Sequence, residues 1–200
     1  MNIKVSGITS FKQLKQLEGL DIDYAAITFE KDSPDYGGDS LPAADIKKAD
    51  FDLRVTGIFS NPEMIDVLDA IDDFGLDAVQ LNGEESPEMC DDLGSEVEVI
   101  KAFKIDPDSG VDVDKLVEPY DGVCDFYLFE MQGADSWNYL KKFRIEKPFF
   151  LSGNFKTSDA SVVRSFRHSD FFGIDLREQF DKSPGEKDMA MILAFKQALK

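Results

Sequence analysis

The sequence predicts an α/β protein, a single-domain (β/α)8 TIM barrel over residues 1–200 with short loops. Three observations carry that prediction. Strand and helix patterns alternate along the whole chain with neither doubled, which means right-handed βαβ crossovers and a parallel sheet. The alternation runs through eight units, the number at which such a sheet closes on itself. At 200 residues the chain is shorter than the ~250 usual for these barrels, so an open sheet with insertions has little room.

The first strand is Ile3 to Val5, stopped by Ser6-Gly7. Side chains alternate faces along a strand, so Lys4 and Ser6 point the same way. Phe11, Leu14, Leu17 and Leu20 recur at helical spacing over Phe11–Leu20. Tyr24–Phe29 reads as a buried strand, and Glu30–Asp39, with Ser33-Pro34 and Gly37-Gly38, as a loop. Pro42 opens a short helix to Ala49. Phe51–Phe59 is the third strand, β-branched near its end. Asn61 is expected to cap the next helix, with Pro62 at its first position and Met64, Ile65, Leu68 and Ile71 following. Ala78–Leu81 is the fourth strand and Asn82-Gly83 its turn. Ser86 caps a helix from Pro87 to about Gly94, and Val97–Phe103 is the fifth strand. Asp112–Tyr120 is a short helix, Cys124–Phe129 the sixth strand and Asp135–Phe143 the helix after it. Pro148–Leu151 is the seventh strand. Ser158 is expected to cap a helix through Phe166, Phe171–Leu176 is the eighth strand, and Asp188–Leu199 closes the chain as a helix.

Composition narrows the function. Forty acidic residues against 22 basic ones give a net charge of −18, a field that repels nucleic acid and anionic membranes. The expectation is no nucleic-acid partner and no membrane. No apolar run approaches the ~18 residues of a membrane span, and the N-terminus enters a strand where a signal peptide would carry a basic and then an apolar region. Cytoplasmic location follows as an expectation. Cys90 and Cys124 have no disulfide-framework or metal-ligand spacing, which fits reduced thiols.

Lys4 to Thr9, Val55 to Phe59, Leu76 to Glu85, Leu151 to Phe155 and Gly185 to Asp188 are five segments that, in this order, resemble phosphoribosylanthranilate isomerase, a small barrel enzyme of tryptophan biosynthesis. Lys4-Val5-Ser6-Gly7-Ile8-Thr9 is similar to that family's K-(V/I)-C-G-I-T, and Val55 to Phe59 to its V-G-V-F. Leu76 to Glu85 is close to L-D-A-V-Q-L-H-G-x-E. Leu151-Ser152-Gly153-Asn154-Phe155 resembles L-S-G-G-L, and Gly185-Glu186-Lys187-Asp188 the closing G-x-K-D.

The resemblance implies an Amadori rearrangement of an aminoaldose phosphate. A general acid opens the ribose ring and a general base takes a proton from the adjacent carbon. The family's base is the cysteine of its first motif, and here that position is Ser6. A thiol near pKa 8.5 supplies about a few per cent thiolate at neutral pH; a hydroxyl supplies essentially none without a neighbouring base. The only histidine, His168, falls in an αβ loop on the face opposite the site, where a surface or helix-end role is expected. Lys4 lies two residues deeper than Ser6, and a buried ion pair with a carboxylate is expected of it ahead of a Ser–Lys pair. Glu130 stands where the resemblance puts the general acid. Gln80 and Asn82 occupy the Q-L-H-G positions, and Asp35 replaces the arginine of S-P-R after the second strand.

For the phosphate, Gly153 and Asn154 match the loop after strand seven. Asp175, Leu176, Arg177, Glu178 and Gln179 replace D-V-S-S-G after strand eight, with Arg177 as a side-chain phosphate ligand. Asp35, Glu130, Asp175 and Glu178 are expected to crowd the mouth, and a cation site among them is a minor reading, subordinate to no metal at all. No cofactor is implied. The expected function is an isomerase-like protein with a degraded site and weak or lost activity. Its ligand would be a small phosphorylated sugar, with a tryptophan-pathway protein as a possible partner. The alternative is a non-catalytic barrel serving as a binding or protein-interaction module.

Overall fold

Every strand expected from the apolar runs forms, and together they close. The computed structural model describes residues 1–154 and 156–200, with the side chains of residues 134 and 135 outside the description. Phe155, the last residue of the fourth matching motif, therefore lies outside the described residues. Strands β1 (Asn2–Ser6), β2 (Tyr24–Thr28), β3 (Arg54–Phe59), β4 (Ala78–Leu81), β5 (Glu98–Lys104), β6 (Phe126–Met131), β7 (Phe149–Gly153) and β8 (Phe171–Leu176) form a closed parallel barrel, β8 pairing back on β1.

Helices α1 (Phe11–Glu18), α2 (Ala43–Lys47), α3 (Met64–Phe74), α4 (Pro87–Gly94), α5 (Val113–Val117), α6 (Ala160–Ser165) and α7 (Met189–Ala198) connect the strands and cover the barrel. Between β6 and β7 the chain instead makes a 3-10 segment, Ala134–Lys142, with no α-helix where one was expected over Asp135–Phe143. Ser10, Ser86 and Asp188 cap α1, α4 and α7, each side chain accepting an N–H from three residues on, as their residue types favour. A short antiparallel hairpin, β9 (Asp181–Ser183) with β10 (Glu186–Lys187), stands between β8 and α7. The sequence reading missed it, although Pro184-Gly185 is a turn signal; Gly185 has φ +74°.

Several boundaries differ from expectation. β3 starts at Arg54, not Phe51, because residues 51–53 bend, with Glu18 accepting the Asp52 and Leu53 N–H groups. β6 runs two residues later than expected, so Glu130 lies within it. β7 extends to Gly153, past the expected Leu151. Asn61 is not a cap: it adopts φ +48°, a conformation asparagine tolerates, and its side chain accepts the Glu84 N–H at 2.7 Å across the β4 turn. Glu63 occupies the cap position of α3. Ser158 does not cap either; it sits in a 3-10 turn where Asp159 accepts the Lys156 N–H, and α6 begins at Ala160.

The acidic residues have work at the N-terminal rim. Asp23, Asp77 and Asp125 precede β2, β4 and β6, and each accepts one N–H at 2.8 Å from the preceding strand: Ile3, Val55 and Val99. Each satisfies a donor that would otherwise be left at a strand start. The main core lies between barrel and helices. A second cluster, Tyr24, Ala78, Ile100, Leu128 and Phe150, fills the barrel interior, with the Tyr24 ring edge-on to Phe150 at 5.3 Å. Two residues further along the same faces, β4, β6 and β7 carry the polar Gln80, Glu130 and Ser152, while β2 and β5 carry the small Ala26 and Ala102. That change of layer makes the site.

Candidate active site

Register determines which side chains meet above the apolar plug. Lys104 pairs with Glu130, Glu130 with Ser152, Ser152 with Asp175, and Asp175 with Lys4, on five consecutive strands. Register partners in a sheet share a face, so these positions form one polar row along the barrel wall. Ser6 stands two residues beyond Lys4, nearer the C-terminal mouth. Ser152 Oγ, Gln80 Oε1 and Thr56 Oγ1 are buried, and among the described residues none makes a hydrogen bond.

Lys4, Ser6 and Asp175 interlock. Lys4 is fully buried and Asp175 is 1% exposed. The Lys4 Nζ donates to Ser6 Oγ at 2.5 Å and lies 3.2 Å from Asp175 Oδ1, and Ser6 Oγ donates to the same carboxylate oxygen at 2.6 Å. Burial pushes the Lys4 ammonium below the ordinary lysine range, while Asp175 pulls it back up. The expected lysine–carboxylate pair forms, and the Ser–Lys contact that ranked behind it forms as well. Asp175, read as a phosphate-side residue, is instead committed beneath Ser6.

Glu130 and Arg177 meet at the mouth. Arg177 Nη1 donates to Glu130 Oε2 at 2.8 Å, and its Nε lies 3.8 Å from Glu178. The carboxylates around it, led by Asp175, raise the Arg177 pKa against the effect of burial. A cavity of about 350 Å³ opens here, lined by Lys104, Glu130, Gly153, Asn154, Arg177 and Glu178 among others. Gly153 has φ +149°, and a Cβ there would fall 1.8 Å from the Met131 carbonyl oxygen, so β7 can end against β6 only with glycine. The side-chain amide of Gln179 donates to Asn154 beside it.

Gln80 and Asn82 form a separate group, the Gln80 amide donating to Asn82 Oδ1 at 2.8 Å and Asn82 to Glu30 at 3.3 Å. A second cavity of about 540 Å³ lies over the ends of β2 and β3, lined by Phe29, Glu30, Tyr36, Phe59 and Asp66 among others. Asp35 sits beside Gly7 at the end of β1, near enough to Lys187, Asp181, Glu178 and Arg177 to interact with their charges. A Cβ on Gly7 (φ +84°) would approach its Oδ2 to 2.7 Å and Lys187 Nζ to 3.2 Å. Burial raises the Asp35 pKa, with Lys187 opposing. Lys187 itself is buried and paired with Asp181.

The four expected carboxylates do gather, Asp35, Glu130, Asp175 and Glu178 all lying near enough to Arg177 to interact with its charge, but they are matched by cations. Asp175 is matched by Lys4, while Glu130 and Glu178 share Arg177. The cation site weighed for these residues is not assembled, and among the described residues no group of three or more histidine, cysteine, aspartate or glutamate side chains is placed to hold a metal. His168 is far from a plain surface residue: its ring packs edge-on to Phe149 at 5.0 Å and its Nδ1 accepts the Asp170 N–H. The two buried cysteines are neighbours, Cys124 drawing the Cys90 thiol down. Sequence reasoning missed Lys104, Ser152 and Thr56, although period-two alternation from Glu130, Asp175 and Gln80 was the available signal.

The chain is similar throughout to proteins of known kind. A family model described as N-(5'-phosphoribosyl)anthranilate isomerase matches residues 3–198. A protein of Phocaeicola vulgatus named N-(5'-phosphoribosyl)anthranilate isomerase is 30% identical over all of this chain and 98% of its own length. The structure of a phosphoribosyl anthranilate isomerase from Thermus thermophilus superposes with a TM-score of 0.81 at 21% identity, covering all of this chain and 98% of that one. Another, solved in complex with reduced 1-(o-carboxyphenylamino)-1-deoxyribulose 5-phosphate, has a TM-score of 0.80 at 23% identity with the same coverage.

Proposed function

The chain belongs to the N-(5'-phosphoribosyl)anthranilate isomerase family of tryptophan biosynthesis, and we propose that it carries out that isomerisation slowly, with an altered set of side chains. The convergence of Glu130, Gly153, Asn154 and Arg177 on one cavity at the barrel mouth supports this most directly. In this reading Glu130 is the general acid. It is one methylene longer than aspartate and is drawn toward the mouth by Arg177 at 2.8 Å. Arg177 and the backbone beside Gly153 receive the phosphate. Gln80 and Asn82 orient the remainder of a small N-ribosyl-phosphate substrate, a compound class represented by the reduced carboxyphenylamino-deoxyribulose phosphate in the complex of one structural neighbour. Ser6 occupies the base position without an ionisable group of its own, and slow turnover follows from that substitution.

Among the described residues no helix is long and apolar enough to cross a membrane. We take residues 1–200 as one domain working in the cytoplasm on a small-molecule substrate, without nucleic acid. A second reading, a non-catalytic barrel that binds a tryptophan-pathway protein, is favoured by a specific observation: Arg177 is already engaged by Glu130 and Glu178, so a phosphate dianion must displace carboxylates. Complementation of a tryptophan auxotroph lacking the isomerase separates the two. Growth that depends on Glu130 supports the enzyme; no growth from a well-expressed, folded protein supports the binding module.

A further inference from the structure

Among the described residues the proton of the Ser6 hydroxyl has one acceptor, Asp175. Lys4 as an ammonium carries donors and no acceptor, and it uses one of them on Ser6 Oγ at 2.5 Å. The hydroxyl's single proton is therefore directed to Asp175 Oδ1 at 2.6 Å. Ser6 stands above Asp175, because Asp175 registers with Lys4, two residues deeper on the same strand. A reacting carbon entering from the mouth thus meets Ser6 first. The carboxylate beneath is 1% exposed, so no water competes for the proton path.

We propose that Ser6 and Asp175 together form the base of this isomerase, Ser6 as the group that touches substrate and Asp175 as the proton store behind it. The proposal rests on the isomerase reading above. In the forward step the C2–H bond of the ring-opened iminium breaks. Its electron pair forms the C1–C2 double bond and the C1–N π pair returns to nitrogen, giving the enaminol. The C2 proton passes to Ser6 Oγ while the serine's own proton passes to Asp175, leaving a neutral carboxyl and an intact hydroxyl. The same path run backwards delivers that proton to C1, and the enol hydroxyl releases its proton to water as the ketone forms. Lys4 holds both oxygens in place and stabilises negative charge on Oγ during the transfer. A resident thiolate is then unnecessary.

Steady-state turnover with N-(5'-phosphoribosyl)anthranilate tests this on the full chain. Asp175→Asn keeps the shape but cannot take a proton, and kcat is expected to fall at least about 100-fold, the scale of general-base catalysis, with KM within about threefold. A purely structural loss would behave alike, so the double variant Ser6→Cys with Asp175→Asn decides. A thiol ionises by itself, so it is expected to restore kcat at least tenfold (roughly the lower bound of such catalysis) over Asp175→Asn alone. Should Asp175→Asn fail to fold, Ser6→Ala serves, because it leaves the Lys4–Asp175 pair intact; kcat is expected to fall at least about 100-fold in a protein that still folds, its melting temperature lowered only by the loss of the two Ser6 hydrogen bonds. Full activity in Asp175→Asn or in Ser6→Ala overturns the relay while leaving the isomerase reading standing. No rescue by the thiol overturns it too. No turnover by the wild type overturns both.

Discussion

Replacing Lys4 with methionine keeps nearly the same volume and removes one charge from a site that water does not reach. Lys4 Nζ lies 3.2 Å from Asp175 Oδ1, with both side chains at most 2% exposed. At an effective dielectric of ~20 that separation corresponds to about 5 kcal/mol of attraction, most of it offset by the desolvation of the two ions. The pair therefore contributes little net stability, but breaking it leaves Asp175 charged and buried. Lys4→Met should lower the unfolding free energy by about 3–5 kcal/mol, measured by urea unfolding at pH 7. Adding Asp175→Asn removes the orphaned charge and should recover much of the loss, a coupling that double-mutant arithmetic isolates. Wild-type stability also carries a pH signature. Burial holds Lys4 below the ordinary lysine range in the folded state, whereas the unfolded chain takes up the proton near pH 10.4. Between the lowered value and ~10.4 the unfolded state binds more protons, so stability rises with pH through that window and is lost as pH falls through it. Lys4→Met should flatten that slope. A change within about 0.5 kcal/mol, the range of a surface substitution, together with an unaltered slope, would refute the assignment of Lys4 to a buried ion pair.

Other outcomes follow from the same geometry. Gly153→Ala places a methyl 1.8 Å from the Met131 carbonyl oxygen at φ +149°, and thermal unfolding should show a melting temperature several degrees lower, about 1–3 kcal/mol or more in stability; an unchanged melt would contradict the close β6–β7 approach. Lys101, 2% exposed, donates to the Leu81, Gly83 and Ala102 carbonyl oxygens and pairs with Glu85 at 3.1 Å. Lys101→Met should cost about 3–5 kcal/mol in denaturant titration without touching the mouth. Glu130→Gln should change stability by less than about 1 kcal/mol, since the Glu130–Arg177 pair is partly solvated, yet lower kcat by about 10²–10⁴ if Glu130 is the acid. Arg177→Met should raise KM for the phosphorylated substrate with a smaller effect on kcat; equal KM values would remove Arg177 from phosphate binding.

How much of this was readable beforehand depends on the range of the interactions. Strand identity came from short β-rich runs such as Ala78-Val79-Gln80-Leu81, whose bounds the structure reproduces. The serine cap at Ser86 was legible because the contact spans three residues. Asn61 misled, because asparagine suits a cap and a left-handed turn equally well, and Glu84, 23 residues away, decided the matter. The site was legible as positions and not as bonds. Lys4 and Ser6 sharing a face follows from alternation. That Asp175 lies under both is a product of barrel closure across 171 residues, which no local pattern encodes. Glu130 was placed at the end of its strand, and the register shows it one step inside, which is why it reaches Arg177.

Turnover by the purified wild-type protein supplied with N-(5'-phosphoribosyl)anthranilate tests the isomerase function most directly. Loss of the aminoaldose phosphate and appearance of the aminoketose phosphate would be followed together. Slow, saturable conversion that Glu130→Gln abolishes is the predicted result. A folded protein that yields no aminoketose at any substrate concentration would contradict it.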